Sequence, residues 1–367
     1  MLSANLDIGQ LNEQALRGLS PMFNVENQVF CDRLRQSESG LIQEGLSHRY
    51  TMMTLLGLHR SEAAGLRSPI DILPILSGLL EDLTWMKSIG DLGLLLWVCA
   101  LVSPERLRET CSLVNPETAF RRSREVHEGR TMELAWFVSG LAHANLALPR
   151  GLPDSADLAR RAYQLLLKNQ GDHGIFGHLS RSGTITGFLR GRIGSFADQV
   201  YPIYALSKFA HAYGVPTAIE KAKRCADAIC RAQGAMGQWW WHYDAATGRV
   251  MEHYPVYSVH QEGMAPMALF ALEEAAHLDY REPIYRGLRW IAGNNELGCD
   301  MRHTSGLVWR CLYHGSKSKL YLDRAKSFLG SKVIGESSGD LEILRECRPY
   351  ELGWLLYAFA GRESKAV

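Results

Sequence analysis

The chain has 367 residues, with 40 Lys+Arg against 39 Asp+Glu, so its formal charge is +1. That balance supplies no bulk electrostatic drive toward nucleic acid. With 46% hydrophobic and 22% charged residues, the composition excludes a disordered, collagen-like or disulfide-scaffold chain and allows one large core or two to three domains.

The chain starts MLSANLDIGQLNEQALRGL, which has no basic stretch followed by an apolar run. We therefore expect no secretory signal and a cytoplasmic location. Residues 1–45 read as an N-terminal segment, partly extended, and 46–367 as a single domain. Apolar residues at three- and four-residue spacing predict helices at 46–58, 90–102, 131–148, 157–168, 196–212, 216–232, 261–277, 282–292, 318–329 and 350–360. The most apolar window, Leu92 to Val102, is too short to span a bilayer. Strand-like alternation is scarce, and Val256–Val259 is its best instance. The eight cysteines are scattered with no CxxC pair, so reduced thiols are expected, and neither zinc nor another cofactor.

Two helix ends share one pattern. Gln170-Gly-Asp-His-Gly174-Ile-Phe176 and Gln233-Gly-Ala-Met-Gly237-Gln-Trp239 both read Gln-x-x-x-Gly-x-aromatic. A Gln can bond freed helix carbonyls, a Gly can take positive φ, and the aromatic can pack back on the helix end. Asn294-Asn-Glu-Leu-Gly298 reads as a decayed third copy. Such spacing predicts helical hairpins stacked around a common centre. The pattern resembles the repeat of the terpenoid cyclase and protein prenyltransferase superfamily. That resemblance implies an all-α fold, an α/α toroid with inner and outer helix rings and a central cavity. The acid clusters of that superfamily are missing. Where its prenyltransferases carry a zinc-binding Asp-x-Cys, this chain has Asp198-Gln-Val200.

The densest chemistry lies between Gln238 and Glu262. Trp239, Trp240, Trp241 and Tyr243 offer aromatic faces, joined by Tyr254. His242, Asp244, Tyr257 and His260 are candidate acids or bases, with Glu262 beside them. A second cluster holds His178, Arg190, Arg192, Asp198 and Tyr201, in which the arginines could clamp an anion. A third holds Asp300, His303, Arg310 and Tyr350. The main functional expectation is an isoprenoid cyclase, with Asp244 or Asp300 protonating an alkene in an aromatic cavity. The alternative is a glycan-active lyase or uronyl C5-epimerase using Tyr and His, with arginines on the carboxylate. Tyr254-Pro-Val-Tyr257-Ser-Val-His260-Gln-Glu262 resembles a short segment of glucuronyl C5-epimerases. A non-catalytic binding protein on the same fold is the third reading. The expected partner is a small molecule or glycan, with no nucleic acid and no transmembrane segment.

Overall fold

A computed structural model describes residues 7–127 (124–127 by backbone only), 129–149, 152, 154–179, 191–315 and 340–362. Among them are thirteen α-helices: α1 (Ile8–Leu19), α2 (His48–Ala63), α3 (Ile72–Glu81), α4 (Ile89–Val102), α5 (Leu107–Leu113), α6 (Pro116–His127), α7 (Thr131–Ala147), α8 (Ser155–Leu167), α9 (Ala197–Tyr213), α10 (Thr217–Ala232), α11 (Ala265–Ala276), α12 (Arg281–Ile291) and α13 (Pro349–Phe359). The expected helix at 318–329 lies outside the described residues.

Six of these helices form a closed inner ring. Helix α2 packs on α4, α4 on α7, α7 on α9, α9 on α11, α11 on α13, and α13 back on α2. Inner helices are apolar on all sides because they face both the ring's axis and the outer layer. In α4 every residue from Ile89 to Ala100 is buried. Outer helices are amphipathic, as in α12, which buries Ile284, Gly287, Leu288, Trp290 and Ile291 while its charged residues lie on the other face. Gly93 of α4 meets Gly140 of α7, and Gly57 of α2 meets Gly353 of α13, so closely that a Cβ on Gly140 or Gly57 would run into the facing carbonyl. These contacts let neighbouring backbones approach. The architecture is the expected α/α toroid.

The repeated turns tie the outer layer to itself. Gln170 Nε2 donates to Gly174 O at 3.0 Å and to Lys221 O of α10 at 2.9 Å. Gln233 Nε2 makes the same pair of bonds, to Gly237 O and to Pro283 O of α12, both at 2.9 Å. The third turn is not at Asn294–Gly298, which only closes the end of α12. It lies at Arg302–Val308, which repeats the Gln170–Phe176 bridge and has Gly306 at φ +92°. Gly306 packs on Gln14 and Gly18 of α1, as Gly174 packs on α10 and Gly237 on α12. Helix α1 therefore occupies the outer position that closes the second ring.

Short strands decorate the end where inner helices begin. Strand β5 (Ile193–Ser195) leads into α9 and pairs with β6 (His242–Asp244), which pairs with β7 (Val250–Glu252). Strand β8 (Val256–Tyr257) leads, through a π-helical turn at His260–Met264, into α11, and pairs with β9 (Cys311–His314). Strand β10 (Leu341–Leu344) extends that sheet. Strand β11 (Glu346–Cys347) leads into α13 and pairs with β3 (Arg33–Ser37), itself paired with β4 (Gly40–Glu44). No helix among the described residues is long and apolar enough to cross a membrane.

Candidate active site at the inner-helix N-termini

A cavity of about 260 Å³ opens on the ring axis where the inner helices start. Its walls are the first turns of α2 (Arg49, Tyr50, Met53), α7 (Met132, Trp136), α9 (Ala197, Tyr201), α11 with its π turn (His260, Met264) and α13 (Tyr350). The loops add Ser195, Trp241, Tyr257, Val259 and Arg310. Helix N-termini present free N–H groups and a partial positive charge, so this end of the ring favours anions. Capping fixes the walls: Ser47 Oγ accepts from Tyr50 N at 3.2 Å, and Ser88 and Asp91 form a capping box at the start of α4.

Two arginines dominate the electrostatics. Arg49 Nε donates to buried Asp91 at 2.7 Å, and its guanidinium lies 5.3 Å from the Trp136 ring centroid. Arg310 Nη1 donates to Glu351 at 2.6 Å, and its Nε lies 3.2 Å from Glu346. Burial opposes the charge on Arg310, but Tyr350, Glu351, Tyr257 and Glu346 around it hold its pKa above the ordinary value. Among the described residues, the terminal nitrogens of Arg49 and Nη2 of Arg310 are not spent on protein acceptors. They remain for an anion.

The acids stand one layer behind the wall. Asp198 accepts from Ser195 N and Ser195 Oγ, both at 2.9 Å, and pairs with His178 Nδ1 at 3.2 Å. That bond raises the pKa of His178. Glu351 is buried, which pushes its carboxyl up to about 7 despite Arg310. Glu262 is also buried, and neither carboxyl oxygen is bonded among the described residues. Burial, then the nearby Glu351, raises its pKa well above the usual range. The His260 ring lies 4.5 Å from the Phe196 ring, tilted by 37°, and burial drives its pKa down to about 3, so its imidazole is neutral. Burial pushes Tyr257 up to about 12.

Of the residues singled out in the sequence, the structure brings Trp241, Tyr257, His260, Tyr201, Arg310 and Tyr350 to one cavity. His178 and Asp198 flank it through Ser195. His242 pairs with Glu252 at 2.6 Å and stacks on Trp241 at 4.2 Å. The others stand elsewhere. Asp244 is bound by Arg192 at 2.6 Å, by Ala246 N and by Thr247. These donors outweigh its burial and lower its pKa, making it the anchor of a turn. Trp239 is buried in the core, and Trp240 Nε1 donates to Ala232 O at the end of α10. Tyr243 is buried, and Tyr254 donates to Glu296 at 2.7 Å. Asp300 is exposed and bound by Arg302. His303 bonds Ser305 inside the third turn. Arg190 lies outside the described residues. Arg49, Tyr50 and Trp136 were missed, because the sequence shows them only as parts of core-forming helices. Their one signal is position, in the first two turns of helices that a toroid starts at a common end.

No family model matches the chain, and no curated protein matches it. Solved structures do. A possible GH105 member from Salmonella enterica serovar Paratyphi A superposes with a TM-score of 0.61 at 13% identity, over 96% of this chain and 93% of that one. The unsaturated glucuronyl hydrolase of Bacillus sp. GL1 gives 0.58 at 12% identity, over 96% and 94%. An inactive α-1,6-mannanase variant (GH76A) from Salegentibacter sp. HEL1_6, bound to α-1,6-mannotriose, gives 0.59 at 13% identity, over 97% and 99%. At these identities the likeness establishes the fold, the α/α toroid. The isoprenoid-cyclase expectation is corrected here. The similar structures named above belong or are assigned to glycoside hydrolase families, and a cavity bearing two arginines would repel a carbocation.

Proposed function

We propose that the chain is a glycan-active enzyme whose cavity receives a sugar bearing a carboxylate. The observation that carries this reading is the pair of arginines, Arg49 and Arg310, with unspent guanidinium N–H groups on one cavity wall system. Guanidinium matches carboxylate bidentately. Trp241, half-buried at the cavity, offers a face for a sugar ring, and Tyr257 and His260 are acid–base groups at the same cavity. A uronate suits this chemistry because its carboxylate, neutralised by a cation, makes the neighbouring C5 proton removable. Among the described residues, no Asp or Glu lines the cavity. The paired-carboxylate arrangement of ordinary glycoside hydrolysis is therefore not what supports the reading. Elimination or C5 epimerisation by Tyr and His is its first form.

Hydrolysis of a glucuronyl unit is the second form. It is favoured by the unsaturated glucuronyl hydrolases among the similar structures and by the His178–Asp198 pair beside the cavity. One experiment tests both. The protein is incubated with an unsaturated glucuronyl disaccharide, with saturated uronate oligosaccharides and with α-1,6-mannotriose. The ultraviolet absorbance of the C4=C5 double bond rises for a lyase and falls for a glucuronyl hydrolase. Deuterium incorporation from heavy water without an absorbance change marks an epimerase. Turnover confined to the neutral mannoside would overturn the acidic-sugar reading.

A further inference from the structure

We infer that Tyr50 is a catalytic acid that protonates the departing oxygen of the substrate, and that Arg348 is its positioning partner. This rests on the reading of the cavity as an acidic-glycan site. Four tyrosines line the cavity: Tyr50, Tyr201, Tyr257 and Tyr350. Tyr50 is the one whose oxygen receives a guanidinium N–H, from Arg348 Nη1 at 2.6 Å. Arginine can only donate, so this bond leaves the hydrogen of the Tyr50 hydroxyl unspent. No acceptor for it stands among the described residues. A phenol with its proton free and a cation already on its oxygen is built to give that proton up. The developing phenolate is met by a donor in place before the reaction, so no reorganisation is needed. Tyr201 differs, because its oxygen accepts from the neutral indole of Trp354 at 3.0 Å on the buried floor. Tyr257 carries Arg310 over its ring face, 5.0 Å from the centroid, and among the described residues its oxygen has no hydrogen bond.

Local structure holds the pair in register. Ser47 caps α2 through Tyr50 N. Thr51 Oγ1, the next residue, donates to Ser47 O at 2.8 Å and accepts from Phe30 N at 2.9 Å. The Tyr50 ring packs 4.6 Å from the Tyr350 ring. Arg348 sits just ahead of Pro349, the first residue of α13. Helices α2 and α13 are adjacent in the ring, with glycines 57 and 353 in contact, so the two ends of the chain together build one proton donor.

The step balances in elimination and in hydrolysis; C5 epimerisation releases no oxygen, and an epimerase would overturn the assignment. The bond between the sugar carbon and the departing oxygen breaks, and its electron pair goes to that oxygen. The oxygen takes the Tyr50 proton, leaving a phenolate bonded to Arg348, and water later returns the proton. In an elimination, the electrons that form C4=C5 come from the C5–H bond, whose proton passes to the neutral imidazole of His260. In a hydrolysis, water adds to the sugar carbon and gives up a proton.

The test compares wild type with Tyr50→Phe and Arg348→Lys on the acidic glycan that turns over, using two substrates. One releases a sugar hydroxyl, and the other releases an acidic phenol, which departs without protonation. For the sugar leaving group, Tyr50→Phe should lower kcat by about 10²-fold or more with KM little changed, the scale of general-acid assistance. For the phenol, the loss should shrink to within a few fold. Arg348→Lys should fall between and steepen the leaving-group dependence, a readout that a purely structural role leaves unmoved. It also serves if Tyr50→Phe does not fold. Equal losses on both substrates, or no loss, would overturn the assignment while the acidic-glycan reading stands. A wild type inactive on every acidic glycan would overturn both.

Discussion

Arg310 Nη1 donates to Glu351 Oε1 at 2.6 Å while its guanidinium lies 5.0 Å over the Tyr257 ring. One arginine thus joins the first turn of α13 to the wall that carries Tyr257, and it faces the cavity while doing so. Its partner Glu351 is fully buried. Binding and stability are therefore coupled at this residue.

Replacing Arg310 with Met should raise KM for an acidic sugar at least tenfold. Above about pH 7, where Glu351 is ionised, it should also destabilise the fold by up to about 3–5 kcal/mol, because a buried carboxylate loses its cation. Adding Glu351→Gln should recover much of the stability and none of the binding. Chemical denaturation and calorimetric titration with glucuronate read the two effects separately. A double variant that bound the uronate normally would show that Arg310 holds the fold and not the ligand.

The ring itself was legible in the sequence, and the cavity only in part: Trp241, Tyr257, His260, Tyr201, Arg310 and Tyr350 stood out, and Arg49, Tyr50 and Trp136 did not. Long apolar periodicity at 90–102, 131–148 and 196–212 marks α4, α7 and α9 because inner helices meet protein on every side. The turns at Gln170 and Gln233 are legible because their side chains make the ties. The third turn is opaque because Arg302 stands where the Gln would, so the side-chain signature of the other two turns is missing. Arg49 and Tyr50 are opaque for another reason. They meet Arg310 and Tyr350 only when the ring closes, and no local pattern carries that closure. Asp244 misled because a carboxylate among aromatics reads alike whether it faces a substrate or anchors a turn.

Glu351 sets an alkaline-side dependence of stability. Its folded pKa, about 7, exceeds the ordinary 4.5 because of burial. Between those values the native state keeps a proton that the unfolded chain has lost. Stability from this group is full below about pH 4.5 and is lost as pH rises through 7, on the order of 3 kcal/mol in total. Glu351→Gln should flatten the fall in melting temperature between pH 5 and 8. An unchanged slope would remove Glu351 as its source.

His260 acts in the opposite direction. Burial lowers its folded pKa to about 3 from 6.5. The unfolded chain binds the proton first, so stability is full above about pH 6.5 and is lost as pH falls toward 3, at ~1.4 kcal/mol per pH unit. Its ring rests against Phe196 and Tyr257, at 4.5 and 5.2 Å, and its Nδ1 has no partner among the described residues. His260→Phe should therefore keep the packing and hold its melting temperature better than wild type at pH 4–5. If acid sensitivity persisted in that variant, the responsible group would lie elsewhere.

The closing of the outer ring can be tested at three glycines. Gly237, at φ +99°, packs on Arg286 of α12, and Gly306, at φ +92°, packs on Gln14 and Gly18 of α1. In both cases a Cβ would collide with backbone, which cannot rotate away as a side chain can. Gly298 also has positive φ, +62°, but nothing stands within 4 Å of an added Cβ. Alanine at Gly298 should cost only the left-handed backbone conformation, about 1 kcal/mol. Alanine at Gly237 or Gly306 should cost that plus displacement of an outer helix, about 2–4 kcal/mol by the scale of overpacking. Urea denaturation of the three variants measures the differences. The informative comparison is Gly306 with Gly237. Equal losses mean that α1 is bound into the ring as firmly as α12, so that the first and last hairpins fold as one unit. A Gly306→Ala loss no larger than that of Gly298→Ala would mean that α1 can lift away at little cost, leaving the stability of the toroid to the inner ring.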